Sequence, residues 1–276
     1  MKRLSVAEKV VAITGGARGI GLATATVLQG LGATVAIGDI DRSAVKEAGS
    51  RLGLKVGRRL DVTDRRSFID FLDAVEDQLG AVDVLVNNAG VIAVGNAVDE
   101  ADAATQRLLD VNVFGVILGT KLAAKRMLPR GHGHIVNIAS LGSVQPVVGI
   151  ATYCATKHAV LGYTDSIRME NRGSGVHFSA ILPALVNTEM IAGVGHAKGF
   201  KNAEPDDVAR AVAGVIAKPK PRVFVPRSVG VGATAQRFMP QRVSEAMGRA
   251  LGTSRVFGSD VEFDKRTAYA RRAGTS

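Results

Sequence analysis

Residues 10–21 read VVAITGGARGIG, a β-branched apolar run that passes directly into a glycine-rich turn. A helical pattern follows from Ile20 onward. Glycine lets the backbone turn sharply and approach a ligand closely, and a helix that starts at such a turn points its N–H groups at bound phosphates. The stretch therefore predicts a strand, a turn and a helix with an anion site at the start of the helix.

Short β-branched runs alternate with amphipathic segments along the rest of the chain, which predicts βαβ units and a parallel sheet covered by helices. Asp64 is expected to cap one helix, Gly32 to end another and Pro205 to begin a third. The fold class is thus α/β, a single doubly wound Rossmann-type domain with a seven-stranded parallel sheet. The predicted strands are 10–14, 34–39, 55–60, 82–87, 134–139, 176–182 and 222–225, and the predicted helices are 20–31, 43–52, 65–79, 101–128, 153–171 and 206–217.

Composition is that of an ordinary globular protein, with 46% apolar and 22% charged residues. The single cysteine, Cys154, excludes an intrachain disulfide and a cysteine-based zinc site, and fits a reducing, cytoplasmic setting. We expect no targeting segment and no transmembrane helix, since no apolar run approaches the roughly 18 residues that a bilayer span needs.

Positive charge is concentrated in residues 218–276, which hold 12 of the 35 Lys and Arg but only 4 of the 25 Asp and Glu. Residues 228–233 are expected to be a small, flexible junction, followed by a helix over about 234–251. Such a basic tail could cover the domain, make peripheral contact with a membrane or attract an acidic partner. Packing on its own domain is the simpler interpretation.

The glycine spacing, Gly-x-x-x-Gly-x-Gly, suits the pyrophosphate of a dinucleotide. The second predicted strand ends at Asp39, whose carboxylate could accept hydrogen bonds from adenosine ribose hydroxyls and would repel a 2′-phosphate. This favours NAD. Arg18 and Arg42 keep NADP open, because either could pair with a phosphate. Asp39 and Asp41 could instead simply end the strand in a turn.

Tyr153 and Lys157 stand four residues apart on a predicted helix, so their side chains are neighbours on one face. A free tyrosine has a pKa of about 10, and a nearby cation that favours the phenolate would let it exchange protons closer to neutrality. A packed ring beside a solvated lysine is the commoner meaning of this spacing alone.

Further motifs follow in order along residues 9–226, and with them the chain resembles the short-chain dehydrogenase/reductase family. The matching residues are the glycine loop at 14–21, Asp61 and Val62, the run Asn87, Asn88, Ala89 and Gly90, and Asn112, Ser140, Tyr153 and Lys157.

The resemblance implies an oxidoreductase in which Tyr153 is the general acid/base. Lys157 would lower the pKa of that tyrosine and hold the nicotinamide ribose. Ser140 would orient the substrate oxygen, and Asn112 would maintain a proton-relay water. Residues 1–227 would form the NAD(P)-binding catalytic domain, with 228–276 as an extension packed on it.

The expected cofactor is NAD, with NADP as the alternative, and no metal is expected. Ala184 stands where the family usually has glycine, so we expect an altered loop there if the backbone is left-handed. The predicted cofactor-binding residues are Gly15, Arg18, Gly19, Ile20, Gly21, Asp39, Asp61, Val62, Asn88, Ala89, Gly90, Tyr153, Lys157, Pro183, Val186 and Thr188.

A predominantly apolar pocket is predicted from the segment 187–204 and from residues ahead of Tyr153, namely Val144, Val147, Val148 and Ile150. It suits a secondary alcohol or ketone on a hydrophobic skeleton, with steroid, retinoid and fatty-acyl compounds as candidate classes. The family resemblance implies a homo-oligomer, dimer or tetramer.

Two other functions remain to be weighed: an NAD(P)-sensing regulator without turnover, and a nucleic-acid or membrane-binding protein that uses the basic tail. Neither explains why Asn112, Ser140, Tyr153 and Lys157 occur together. We therefore expect an enzyme with a small-molecule substrate and no nucleic-acid partner.

Overall fold

Seven parallel strands form one sheet in the computed structural model, which describes residues 6–195, 201–236, 242–243, 256–258 and 260–275. The sheet order is β3-β2-β1-β4-β5-β6-β7. The predicted sheet is confirmed, with strand ends shifted by two residues at most. The strands are β1 Val10–Thr14, β2 Thr34–Asp39, β3 Val56–Arg59, β4 Val84–Asn87, β5 Gly133–Ile138, β6 Val176–Pro183 and β7 Arg222–Val225.

Helices cover both faces of the sheet. Asp64 caps α3 as expected, by accepting hydrogen bonds from two backbone N–H groups, and Pro205 is the first residue of α7. The helices are α1 Gly19–Gly30, α2 Arg42–Leu52, α3 Arg65–Leu79, α4 Asp102–Leu109, α5 Gly115–Met127, α6 Ala151–Glu170, α7 Pro205–Ala217, α8 Arg227–Gln236 and α9 Phe263–Ala273.

Strand β1 shows why the apolar runs lack polar alternation. Its five residues are all buried, and successive side chains point to opposite faces. Val11 and Ile13 join the core cluster under α1, α2 and α7, whereas Val10 and Ala12 join the cluster under α3 and α5. Both faces of the sheet are therefore covered, as a parallel sheet requires.

The direction in which successive strands are added to the sheet reverses between β1 and β4, which are hydrogen-bonded neighbours. In open α/β sheets, ligands bind outside the carboxyl ends of the strands at this switch point. The glycine loop after β1 and the Asn88 segment after β4 lie side by side there. The topology thus positions a site at one edge of the sheet.

The single helix predicted over 101–128 is wrong in one respect. A π-helical turn, Asp110–Phe114, separates α4 from α5. Asn112 lies within this turn, completely buried, and its amide bonds both backbone groups of Val91. A π-helical turn contains one more residue than an α-helical turn, and here the inward-facing Asn112 amide lies in it. Hydrophobic periodicity alone could not predict this turn.

The predicted flexible junction at 228–233 is also wrong, because these residues belong to α8. Gly230 lies against the Phe224 ring so closely that a Cβ at this position would come within 2.6 Å of it. Small residues here let the helix pack on β7. The helix predicted over 234–251 lies outside the described residues except for 234–236, which end α8, and 242–243. Helix α9 was not predicted.

Candidate active site

A cavity of about 1160 Å³ opens at the carboxyl edge of the sheet, over the switch point. We call it the main cavity. The loops that follow β1, β2, β3, β4, β5 and β6 all contribute to its wall. Of the residues predicted as functional from the sequence, the wall includes Gly15, Arg18, Gly19, Ile20, Asp39, Asp61, Val62, Asn88, Ala89, Gly90, Ser140, Tyr153, Lys157, Pro183, Val186 and Thr188. Gly21 and Asn112 are not among the lining residues.

Tyr153 and Lys157 are both buried on the cavity side of α6. The Lys157 Nζ lies 5.6 Å from the centroid of the Tyr153 ring and donates a hydrogen bond of 2.9 Å to the Ile138 carbonyl. Ser140 follows β5, where its Oγ accepts a hydrogen bond from the Gly142 N–H. The end of one strand and the first turns of one helix therefore bring together a hydroxyl, a phenol and an ammonium.

The electrostatic balance at Tyr153 differs from the one expected from the cation alone. Burial raises the pKa of Tyr153 above its ordinary value, and hydrogen bonding with Ser140 opposes that shift. Burial also lowers the pKa of Lys157 to about 8. Both shifts disfavour the charged forms, because a buried charge loses its hydration. The sequence reveals the lysine but not the depth at which the pair lies.

The Asn112 side chain connects separate elements by hydrogen bonds and does not line the main cavity. Its Nδ2 donates to the Val91 carbonyl and to Thr156 Oγ1, at 2.9 and 3.1 Å, while its Oδ1 accepts from the Val91 N–H. Both amide hydrogens are thereby used. Asn112 thus ties the segment after β4 to Thr156 of α6, the residue that precedes Lys157.

The glycine loop is shaped for close approach. Gly15 and Gly19 have left-handed backbone, with φ of +63° and +50°. Asn88 braces the loop through its Nδ2, which donates to the carbonyls of Thr14 and Gly15, both at 3.0 Å. The Thr14 hydroxyl accepts in return from the N–H groups of Asn88 and Ala89.

Helix α1 has no side-chain cap among the described residues, whereas Asp41 and Asp64 cap α2 and α3, and the first turn of α1 holds no acidic residue. Its first N–H groups therefore have no acceptor among the described residues, and they face the main cavity with the positive end of the helix dipole. These features fit a pyrophosphate, because a phosphate supplies the missing negative acceptor.

Asp39 and Asp41, considered above either as ribose contacts or as residues that end a strand in a turn, have different surroundings. Asp39 lines the main cavity, and its carboxylate accepts from the N–H groups of Ala17 and Asp41. Asp41 caps α2 and pairs with Arg18 at 2.8 Å, and hydrogen bonds led by the one from Ser43 lower the pKa of Asp41. The Arg18 guanidinium thus has an acidic partner within the protein.

Three further positions around the main cavity also have partners within the protein. The Asp61 carboxylate accepts from the backbone and hydroxyl of Thr63 at 3.0 and 2.7 Å. Ala184 does not have a left-handed backbone, and its N–H donates to the Val225 carbonyl, so the expected distortion is absent. Thr188 approaches the glycine loop, where a Cβ on Gly19 would lie 3.3 Å from its methyl group.

Several residues of the cavity wall were missed in the sequence. They come from α4, from the segment around 256–257 and from α9, and they include Arg107, Val256, Phe257, Tyr269, Arg272 and Ala273. On α9 the buried or half-buried positions 266, 269, 270 and 273 recur with helical spacing, a signal that the many charges around them obscure.

In the part of the chain that the structure describes, no group of three or more His, Cys, Asp or Glu residues could hold a metal ion. Over the same residues, no helix combines the length and the apolar character needed to cross a membrane.

Comparison with known proteins gives consistent relatives. A probable oxidoreductase, EphD, from Mycobacterium tuberculosis is 30% identical over 259 residues, which cover 85% of this chain but only 44% of that protein. A 3-alpha-(or 20-beta)-hydroxysteroid dehydrogenase from the same species is 35% identical over 76% of this chain and 78% of its own length. Estradiol 17-beta-dehydrogenase 11 from Mus musculus is 28% identical over 97% and 89%.

Solved structures show the same fold. A short-chain dehydrogenase/reductase from Burkholderia phymatum in complex with NAD has a TM-score of 0.77 and 25% identity, covering 85% of this chain and 94% of that one. A 3-ketoacyl-(acyl-carrier-protein) reductase from Brucella melitensis complexed with NADH has a TM-score of 0.73 and 26% identity over 80% and 98%. The family model for short chain dehydrogenases matches residues 9–199, more than half of the chain. The protein therefore belongs to the short-chain dehydrogenase family of oxidoreductases.

Proposed function

We propose that this protein interconverts a secondary alcohol and a ketone on a hydrophobic substrate, with NAD as the cofactor and Tyr153 as the general acid/base. The observation that carries the proposal is the meeting of Ser140, Tyr153 and Lys157 in one cavity wall with the glycine loop. A proton-transfer group and a dinucleotide site in a shared cavity are what alcohol oxidation requires.

The chain's own groups have distinct tasks in this proposal. The Ser140 hydroxyl holds the substrate oxygen, and the Tyr153 phenolate takes its proton as the carbonyl forms. Lys157 positions the ribose and stabilises the phenolate, which burial otherwise disfavours. Asn112 acts as a positioning residue for Lys157. When bound, the nicotinamide supplies or accepts the hydride.

Cofactor residues are proposed as the predicted set, with Gly15, Gly19 and Ile20 around the pyrophosphate and Gly21 as the residue that lets the loop close behind it. Asp39 favours NAD over NADP, because it is an acidic residue of the main cavity wall while Arg18 is paired with Asp41. The similar structures that hold NAD and NADH agree with this preference.

The substrate is proposed to be a hydrophobic alcohol or ketone of the steroid type. Val147, Val148 and Ile150 line the main cavity together with Met190 and Ile191. Two of the relatives are hydroxysteroid or estradiol dehydrogenases by name, which supports a rigid apolar skeleton.

Three further proposals rest on the family and on composition: a cytoplasmic location, a homo-oligomeric state, and residues 228–276 acting as part of the domain formed by 1–227. Leu109 and Phe114 leave 41% and 47% of their surface exposed beside α4, which fits a contact between copies. Light scattering after size exclusion tests the oligomeric state.

The activity is tested with hydroxysteroids and their ketones, using NAD and NADP in parallel and following nicotinamide absorbance. We expect turnover with NAD to exceed that with NADP. Tyr153→Phe should reduce turnover at least a thousandfold while leaving NAD affinity within about threefold, since only the proton-transfer group is lost. A Tyr153→Phe protein that oxidises steroids at the parental rate would refute the mechanism. Binding of NAD without turnover of any alcohol would instead favour a sensor.

A further inference from the structure

Tyr269 on α9 is a second phenol in the main cavity, outside the proposed catalytic set. It packs against the apolar cluster that includes Ile92 and Tyr153. Two guanidinium groups lie near its ring, with the Cζ atoms of Arg266 and Arg272 at 5.5 and 5.9 Å from the ring centroid. The positive charges of both guanidinium groups oppose the rise in the pKa of Tyr269 that burial causes, and so favour donation of the phenol proton in a hydrogen bond.

The Tyr269 hydroxyl oxygen accepts a hydrogen bond from the protein backbone. It accepts a hydrogen bond of 3.1 Å from the Ile92 N–H, the only hydrogen bond that the described residues make with it. A phenol oxygen carries one proton of its own, which this contact leaves free to donate. Burial raises the pKa of Tyr269 to about 12, so the proton stays in place at neutral pH.

Tyr269 also lies within electrostatic range of the proposed acid/base. The pKa of Tyr153 is raised chiefly by burial and additionally by Tyr269. Both tyrosines also line the main cavity, so the two phenols share one space. Ser140, Tyr153 and Tyr269 line the same cavity, so a substrate whose reacting oxygen is held by Ser140 and Tyr153 has room to reach Tyr269.

We propose that Tyr269 donates a hydrogen bond to a second oxygen of the substrate and makes the protein selective for alcohols and ketones that carry one. This inference rests on the proposed function. Its physical basis is that a buried donor is left unpaired by an analogue lacking the acceptor, and sites of this kind discriminate strongly against such analogues.

The test compares matched substrates on one preparation: acetoin with sec-butanol, and a hydroxysteroid bearing a distant ketone with the same steroid bearing a methylene there. We expect the parent protein to prefer the oxygenated member of at least one pair by about tenfold in kcat/KM. Tyr269→Phe should remove most of that preference, mainly through a higher KM for the oxygenated member. Tyr163→Phe, on the part of α6 away from the main cavity, is the control and should keep it.

The ratio within a pair does not depend on how much of the variant is folded, so a loss of stability from the unpaired Ile92 N–H cannot mimic the result. If the ratio of kcat/KM values within each pair is unchanged in Tyr269→Phe, the inference is overturned, even where both values have fallen equally. Turnover by the parent protein without any preference within the pairs overturns the inference alone. Absence of turnover by the parent protein with every pair contradicts the proposed function itself.

Discussion

Gly21 stands where a side chain has no room. A Cβ at this position would lie 2.1 Å from the Gly15 carbonyl oxygen and 2.6 Å from Asn88 Nδ2. Any side chain must therefore push the first turn of α1 away from the loop that precedes it. The glycine is required by the closeness of two backbone segments, because its φ is not in the left-handed region.

We expect Gly21→Ala to weaken NAD binding at least tenfold and to lower the free energy of unfolding by about 1–3 kcal/mol, the usual cost of overpacking. Gly30→Ala in the same helix is the matched control. Apart from the backbone of its own helix, no described residue lies within 4 Å of its added methyl group, so stability should stay equal or rise by up to about 1 kcal/mol. Calorimetric titration with NAD and urea unfolding measure both effects. Parental affinity in Gly21→Ala would contradict the steric argument.

The candidate site could be predicted at residue scale because its motifs are local. Tyr153 and Lys157 are four residues apart, and the glycine loop is continuous, so sequence spacing is enough to bring their atoms together. The partners of Asp41 and Asn112 were not visible, since Arg18 and Val91 reach them from other elements. Long-range packing decides which polar groups remain available to a ligand.

At the scale of elements, Arg266 joins α9 to the segment after β6. Its side chain is buried, and its Nη1 donates to the carbonyls of Met190 and Ala192 at 3.1 and 2.9 Å. Met190 lines the main cavity, and Ala192 lies two residues further along the same segment. One guanidinium thus holds part of the cavity wall in place from α9.

We expect Arg266→Ala to raise KM for the steroid substrate about tenfold while NAD affinity stays within twofold, because the glycine loop does not depend on this contact. Two carbonyls lose a donor, at about 1–3 kcal/mol each if they remain buried. The control is Arg271→Ala, an exposed residue of the same helix. Equal KM values for parent and Arg266→Ala would show that α9 does not shape the substrate site.

The strands and most helices were predictable because apolar runs and capping residues such as Asp64 are short, continuous features of the sequence. The π-helical turn at Asp110–Phe114 was not, since it depends on one amide finding the Val91 backbone. Helix α9 could not be predicted for a different reason, which is the composition of its buried face. Its buried face consists of Arg266, Tyr269 and two alanines, so an amphipathic search for large apolar residues finds no face there.

For the whole molecule, the buried histidine of the central sheet sets a limit on acid stability. His134 on β5 shares a hydrogen bond of 2.8 Å with Ser179, and its Nδ1 has no partner among the described residues. Burial, with smaller contributions from His177 and Lys9, lowers the pKa of His134 to about 3. The folded protein therefore keeps this ring neutral under conditions in which the unfolded chain protonates it.

The unfolded chain binds a proton at His134 near pH 6.5, whereas the folded chain does so only near 3. Above about pH 6.5 the ring is neutral in both states, so His134 takes nothing from the free energy of unfolding. As the pH falls toward 3, only the unfolded chain binds the proton, and the free energy of unfolding declines by up to roughly 1.4 kcal/mol per pH unit. We expect His134→Gln to lose less of its unfolding free energy than the parent between pH 7 and pH 5, measured by urea unfolding. His132→Gln, at an exposed position, should follow the parent. Parallel curves for parent and His134→Gln would mean that the cost of acidification lies elsewhere in the molecule.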